Sequence, residues 1–320
     1  MNKTMKLGNS NLQASRLGLG AMTWGDPRGL ARLHPAKLAY GGADGYEEEK
    51  RAVEVSLAAG VNLFDTAAMY SGGAAERRLG ELVNGSQALI ASKFPGKLSF
   101  RTGDFPQELD ASLRRLGRSS IDLYQHHFPS DRVDIPQLME HLADAVEAGK
   151  VKAVGVSNYT AEQMRTAHAA LAKRGIPLAS NQVQYSLLHR QPETDGVLEA
   201  CRELGVTLIA YSPLAMGALT GAYSAGAKPR GLRRFMSPNF RRQGVQAVQP
   251  VVALLRQIGE RYAMSPSQVA LRWLIENPLV LPIPGAKNGK QAESNAGALT
   301  FQLTPEEIDA LDQATLAWRN

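Results

Sequence analysis

One pattern constrains this chain more than any other. A short apolar run, a polar turn and a helix-length amphipathic segment recur along most of its 320 residues. The runs are SRLGLGA (15–21), VNLFD (61–65), QALIASK (87–93), IDLYQHH (121–127), KAVGVSN (152–158), LASNQVQ ending at Gln184, VTLIAYS (206–212) and VLPIPG (280–285). Nearly continuous hydrophobicity at strand length suits a parallel sheet covered by helices on its outer face. The intervening segments carry helix punctuation. TAEQMRTAHAALAKRG (160–175) opens on a Thr cap and closes on Gly, and SPSQVALRWLIENP (265–278) opens Ser-Pro and stops at Pro278. About eight such units, joined by right-handed crossovers, close into a barrel. The expected fold is therefore α/β, a single (β/α)8 TIM barrel occupying 1–320 as one domain. MKLGNSNLQASRLG should form an N-terminal β-hairpin turning at Asn9-Ser10 and plugging the lower end, and 213–248 should be a long functional loop after strand 7.

Composition removes several function classes. No apolar run approaches the ~20 residues needed to span a bilayer, and the first residues lack the apolar core of a secretory signal. Cys201 is the sole cysteine, which excludes an intrachain disulfide and a cysteine metal cluster and suits an inert packed thiol. A reducing cytoplasmic compartment is expected, with the monomer as the default state. The formal charge of +6 is spread mostly along helices beside acids. The exception, KPRGLRRFMSPNFRR (228–242), holds six basic residues and no acid. It reads either as a solvated loop or as a loop neutralising a phosphate-bearing ligand, since Arg presents a planar fork matched to phosphate. No nucleic-acid motif accompanies the charge.

The polar residues fall where a barrel enzyme would put them. The strand ends carry Asp65, Lys93, His127, Ser157-Asn158, Gln182 and Tyr211-Ser212, and catalytic groups in barrels sit at C-terminal strand ends, where the βα loops build the pocket. FDTAAMY places Tyr70 five residues after Asp65. A phenol normally titrates near 10, but an adjacent ammonium favours its ionised form and a carboxylate fixes that ammonium. Tyr70, Lys93 and Asp65 thus form a coherent proton relay. The competing reading is a buried Asp65–Lys93 pair with Tyr70 merely packed beside it. Other motifs are weaker. Gly18-x-Gly20 has Thr at position 23 and no helix directly after it, GAKNGK (285–290) is too tight for a Walker loop, and no G-x-S-x-G elbow occurs. His126, His127 and Asp131 lack helical metal-ligand spacing.

With these residues in view, the chain resembles the aldo-keto reductase superfamily, in particular its bacterial and plant-plastid branch of pyridoxal reductase-like proteins. The resemblance runs in order through RLGLGAMTWG, FDTAAMY, ASKF, IDLYQHHFP, VKAVGVSNY, SNQVQYSLLHR, LIAYSPLAMGALTG and LPIPGAKNGKQAESNAGAL. It implies an NADPH-dependent reduction of an aldehyde or ketone, with Tyr70 as proton donor, Lys93 and Asp65 tuning it, and His127 orienting the carbonyl oxygen. His126 falls where the family usually has an apolar residue. Ser157, Asn158 and Gln182 would hydrogen-bond the nicotinamide carboxamide and Tyr211 would stack on its ring. Ser212, Pro213, Leu214 and Gly217 would wrap the pyrophosphate, with Gly20, Ala21 and Met22 nearby. Gly285, Ala286, Lys287, Gln291 and Asn295 would grip the adenosine end. Ala222 stands where many relatives have a phosphate lysine, so Lys287 and Arg230 become the candidates for the 2′-phosphate. Trp24, Met69, Phe94 and Phe128 should line an apolar substrate pocket. The rival functions are a cofactor-binding regulatory subunit on the same scaffold, with little turnover, and a lyase or isomerase on a phosphate-binding barrel.

Overall fold

The computed structural model describes residues 3–26, 45–95, 99–223, 238–240 and 242–319. Among these, eight parallel strands run in the spatial order of the sequence: β3 (Gly18–Gly20), β4 (Leu63–Asp65), β5 (Leu89–Phe94), β6 (Ile121–His126), β7 (Val151–Ser157), β8 (Leu178–Gln184), β9 (Thr207–Tyr211) and β10 (Val280–Pro282). The two ends meet through a parallel bridge between Gly20 and Gly285, with Gly20 N–H donating to Pro284 C=O at 3.0 Å. The glycines of the Gly18-x-Gly20 run serve this closure: a Cβ on Gly18 would lie 2.8 Å from Ile283 Cγ2, and one on Gly20 would lie 3.2 Å from Ile283 C=O. A hairpin of β1 (Thr4–Lys6) and β2 (Gln13–Ser15) precedes the barrel, as the sequence predicts.

Helices fill the crossovers: α1 (Tyr46–Ala58), α2 (Ala74–Leu82), α3 (Phe105–Leu116), α4 (Ile135–Glu147), α5 (Ala161–Ala172), α6 (Val197–Leu204), α7 (Arg242–Tyr262), α8 (Pro266–Glu276), α9 (Gly289–Ala296) and α10 (Pro305–Ala314). Thr160 and Ser265 cap α5 and α8 with reciprocal Gln163 and Gln268 side chains, so two amide donors at each start are satisfied. The loop expected over 213–248 is shorter. Helix α7 already begins at Arg242 and carries Pro250 inside it. No helix among the described residues is long and apolar enough to cross a membrane.

The barrel interior is layered, and the layering follows from the two-residue period of a strand. Leu63, Ala91, Leu123, Ala153, Ala179, Ile209 and Leu281 form one aliphatic layer, against which the hairpin presses Leu7, Leu12 and Ala14. Burying Leu7 completely is worth about 1.5–3 kcal/mol. Two residues further along β4, β5, β6 and β9 stand Asp65, Lys93, Gln125 and Tyr211. The polar groups therefore occupy the next layer toward the strand C-termini, above a dry plug. In β8 the register slips, so that Val154 pairs with Leu178 but Gly155 pairs with Ser180. This bulge turns Ser180 toward Gln125 and swings Asn181 outward onto Tyr159 and Met164.

Candidate active site

At the C-terminal mouth of the barrel lies a pocket of about 690 Å³. Asp65 lines its floor and is paired with the buried Lys93. Lys93 Nζ donates to Asp65 Oδ1 at 2.6 Å and to Thr66 C=O at 2.8 Å, and the lysine is wholly buried. Asp65 Oδ2 accepts from Gln182 Nε2 at 2.8 Å, so both carboxylate oxygens are held. Burial lowers the Lys93 pKa while Asp65 opposes that shift. Removing either partner would leave an uncompensated charge in a dry site, a loss of about 3–5 kcal/mol.

Tyr70 opens a short 3₁₀ segment, Tyr70–Gly73, in which Ser71, Gly72 and Gly73 all take positive φ (51°, 62° and 81°). The two glycines take this conformation freely, whereas Ser71 holds it only because its surroundings impose it. The Tyr70 ring lies 5.1 Å from Lys93 Nζ and packs edge-on to His127 at 5.8 Å between centroids. His127 is buried, and its Nδ1 has no hydrogen-bond partner among the described residues. Burial first, then the nearby Lys93 and His126, push its pKa down from 6.5 to about 2, so the imidazole is neutral. Phe128 stacks on its other face at 4.2 Å and 10°. His126 faces the helices instead, among Phe94 and Phe100, with Nδ1 2.7 Å from Tyr159 Oη.

Above this floor Ser157, Asn158, Gln182 and Tyr211 line the pocket. Asn158 Nδ2 donates to His127 C=O and to Ser157 Oγ, both at 3.0 Å, and Asn158 Oδ1 accepts from Tyr211 Oη at 3.1 Å. Ser157 Oγ donates to Gln182 C=O at 2.8 Å. Asn158 Nδ2, Ser157 Oγ and Tyr211 Oη thus donate inside the protein, and Gln182 places one of its two Nε2 hydrogens on Asp65. The amides of Asn158 and Gln182 keep acceptor capacity and Gln182 a second N–H, which together suit a carboxamide. The pocket continues along Ser212, Pro213, Leu214, Met216 and Gly217, where Ser212, Ala215, Met216 and Gly217 again have positive φ. Non-glycine residues held in that region cluster where a backbone must meet a ligand. The far end comprises Gly285, Ala286 and Lys287 just before α9, with Gln291 and Asn295 on that helix. Asn288 caps α9 through Gln291 N–H (3.0 Å), Gln291 Oε1 accepts from Lys287 N–H (2.9 Å), and Asn295 Nδ2 donates to Gly285 C=O (3.2 Å). A helix start beside a lysine is a ready site for a phosphate. The amides of Asn158 and Gln182, the aromatic Tyr211 and this cationic end fit a nicotinamide dinucleotide.

Most residues expected from the sequence meet in this pocket, with five exceptions. Lys93 does not reach the lining and is wholly buried against Asp65. Trp24 does not line it: the indole is fully buried and Nε1 donates to Ala286 C=O at 2.7 Å. Phe94 does not line it either, because alternation along β5 sends Lys93 inward and Phe94 outward against Phe100, Phe105 and Tyr124. Ala21 is buried behind the wall, its N–H bound to Asp65 C=O at 2.7 Å. Arg230 lies outside the described residues. Gly20, Met22, Met69 and Phe128 do line the pocket, and Phe128 is half-exposed. Sequence reasoning missed Thr23, Thr220, Tyr223, Ser267, Ser294, Ile283 and Pro284. Ser294 was accessible in principle, since it lies three residues from Gln291 on one helix face. Among the described residues no cluster of His, Cys, Asp and Glu could hold a metal.

Comparison with known proteins agrees with this geometry. The model of the Aldo/keto reductase family matches residues 16–315. The chain is 35% identical over 322 residues to the chloroplastic pyridoxal reductase of Arabidopsis thaliana, covering 95% of this chain and 84% of that protein. It is 32% identical to the aldo-keto reductase yakc [NADP(+)] of Schizosaccharomyces pombe, covering 97% of this chain and 91% of that one. Among solved structures, the glycerol dehydrogenase AKR11B4 from Gluconobacter oxydans superposes with a TM-score of 0.84 at 26% identity, over 100% of this chain and 98% of that one. The chain belongs to the aldo/keto reductase family, a family of oxidoreductases.

Proposed function

We propose that this protein reduces an aldehyde or ketone to an alcohol at the expense of NADPH, with Tyr70 donating the proton. The observation that carries the reading is the buried Lys93–Asp65 pair beneath the Tyr70 ring, with neutral His127 beside it. When bound, NADPH supplies the hydride that a carbonyl carbon accepts. As that carbon is reduced, negative charge develops on the carbonyl oxygen, and donors preorganised around the oxygen lower the barrier. Tyr70 Oη gives its proton to that oxygen. The Lys93 ammonium stabilises the phenolate left behind, and Asp65 and Gln182 hold Lys93 in place. A neutral imidazole still carries one N–H, so His127 orients the carbonyl without competing as an acid.

Cofactor contacts follow the pocket. Ser157, Asn158, Gln182 and Tyr211 would hold the nicotinamide, Ser212 to Gly217 the pyrophosphate, and Gly285, Ala286, Lys287, Gln291 and Asn295 the adenosine end. Lys287 is the one cationic side chain among the described pocket residues and so would read the 2′-phosphate. The name of the fission-yeast relative supports NADP(H). Met22, Met69 and Phe128 give the substrate end an apolar wall, which suits aromatic or apolar carbonyl compounds; the name of the plant relative makes pyridoxal the first to try.

The test is titration of the purified protein with NADPH and NADH, followed by NADPH absorbance during incubation with a panel of aldehydes including pyridoxal. NADPH binding with turnover is expected. Binding without turnover on any carbonyl would replace the enzyme by a cofactor-sensing subunit, and no binding would refute the reading.

A further inference from the structure

The residue that left the substrate pocket has another place in the molecule. Trp24 is fully buried between two parts of the site that are far apart in sequence. Its Nε1–H donates to Ala286 C=O at 2.7 Å, in the segment that begins the adenosine end. Its own C=O accepts from Ser71 Oγ at 3.1 Å, in the residue after Tyr70. Ser71 is buried and left-handed (φ 51°), so the Tyr70 turn depends on contacts from outside itself to keep its shape.

The next residue tightens the same joint. Gly25 (φ +74°) sits so close to α2 that a Cβ would lie 2.4 Å from Ala74 C=O. Gly25 N–H donates to buried Glu49 Oε1 at 3.0 Å, and Arg78 clamps both Glu49 and Asp26. Trp24 and Gly25 are therefore a rigid wedge with one face on Ala286 and the other on Ser71–Ala74.

We infer that Trp24 is a positioning residue that couples nucleotide occupancy at Gly285–Lys287 to the geometry of the Tyr70 turn. The inference rests on the cofactor reading above. Energetic coupling of this kind needs a contiguous chain of buried, directional contacts, and it is reciprocal: ordering one end orders the other. Ala286 C=O to the indole N–H, across the indole to its own C=O, and on to Ser71 Oγ is such a chain, with both hydrogen bonds buried.

The experiment uses adenosine 2′,5′-bisphosphate, which can fill the adenosine end and has no nicotinamide to touch Tyr70. Hydrogen exchange is followed with and without it in the wild type, in Trp24→Phe, which removes the N–H donor, and in Ser71→Ala, a small change that should not impair folding. In the wild type the ligand should slow exchange at 285–291 and at 70–74. In both variants it should slow exchange at 285–291 only. Trp24→Phe should weaken the ligand by no more than about fivefold, the value of one buried hydrogen bond, because that bond is already made without ligand. In NADPH turnover each variant should lower kcat several-fold with little change in carbonyl KM, and the double variant should be no worse than the poorer single one. Persistent protection at 70–74 in both variants, or additive kcat losses, would overturn the coupling. No protection anywhere in the wild type would remove the nucleotide reading itself, and this inference with it.

Discussion

Acidification from about pH 7.5 to about pH 5 should cost this fold roughly 4 kcal/mol through two histidines alone. Both are buried at the end of β6. Burial lowers His126 from 6.5 to about 4, and burial with the charges of Lys93 and His126 lowers His127 from 6.5 to about 2. In the unfolded chain each regains a pKa near 6.5. The folded values lie below the unfolded ones, so the unfolded state binds protons first. The stabilisation from keeping each ring neutral is complete above pH 6.5 and is lost as pH falls toward about 4 for His126 and about 2 for His127. Each withdraws about 1.4 kcal/mol per pH unit in that window, or about 2 kcal/mol by about pH 5. At the usual unfolding entropy per residue, a chain this long loses about 1.5 °C of Tm per kcal/mol, which makes about 6 °C in all.

Urea and thermal melts across this range, on wild type and His126→Phe, measure the effect. Phenylalanine suits the aromatic surroundings of Phe94 and Phe100, and losing the Tyr159 partner shifts stability by a pH-independent amount. The slope of stability against pH should fall by about 1.4 kcal/mol per pH unit near pH 5, the share of one histidine. An undiminished slope in the variant would refute the assignment of that proton uptake to His126.

Three further outcomes are expected. Tyr70→Phe should keep NADPH affinity by calorimetry while steady-state turnover falls about 10²–10⁴-fold, because only the proton donor is gone; near-normal rates would sink the mechanism. Lys287→Ala should weaken NADPH binding far more than NADH binding, and equal losses would mean that Lys287 does not read the 2′-phosphate. Lys93→Met should destabilise by about 3–5 kcal/mol in urea unfolding by stranding the Asp65 carboxylate, and adding Asp65→Asn should restore much of that loss; a double variant less stable than the single would contradict it.

The barrel was legible because its strands announce themselves as buried runs, and because the polar residues at their ends fall one pleat above an aliphatic layer. Asp65 and Lys93 follow Leu63 and Ala91 by two residues, and that arithmetic alone points both inward. The same arithmetic excludes Phe94, although it adjoins Lys93. Gln182 was harder, since its inward position depends on the bulge at β8, which no local pattern marks. Trp24 lies in a turn without period, and only the three-dimensional closeness of Ala286 shows that it faces the wall rather than the pocket.

The seam of the barrel has a consequence for its lifetime. Neighbouring strands share three to five paired positions, whereas β3 and the end of β10 are joined by the bridge at Gly20 and Gly285. A closed ring gives way first at its clasp. Gly20 and Met22 on one side and Pro284 to Lys287 on the other line a single pocket, so whatever fills that pocket spans the clasp. The occupied protein should therefore owe its endurance to slower opening: protease resistance and unfolding half-life should rise with nucleotide more than pocket filling elsewhere in the barrel would achieve.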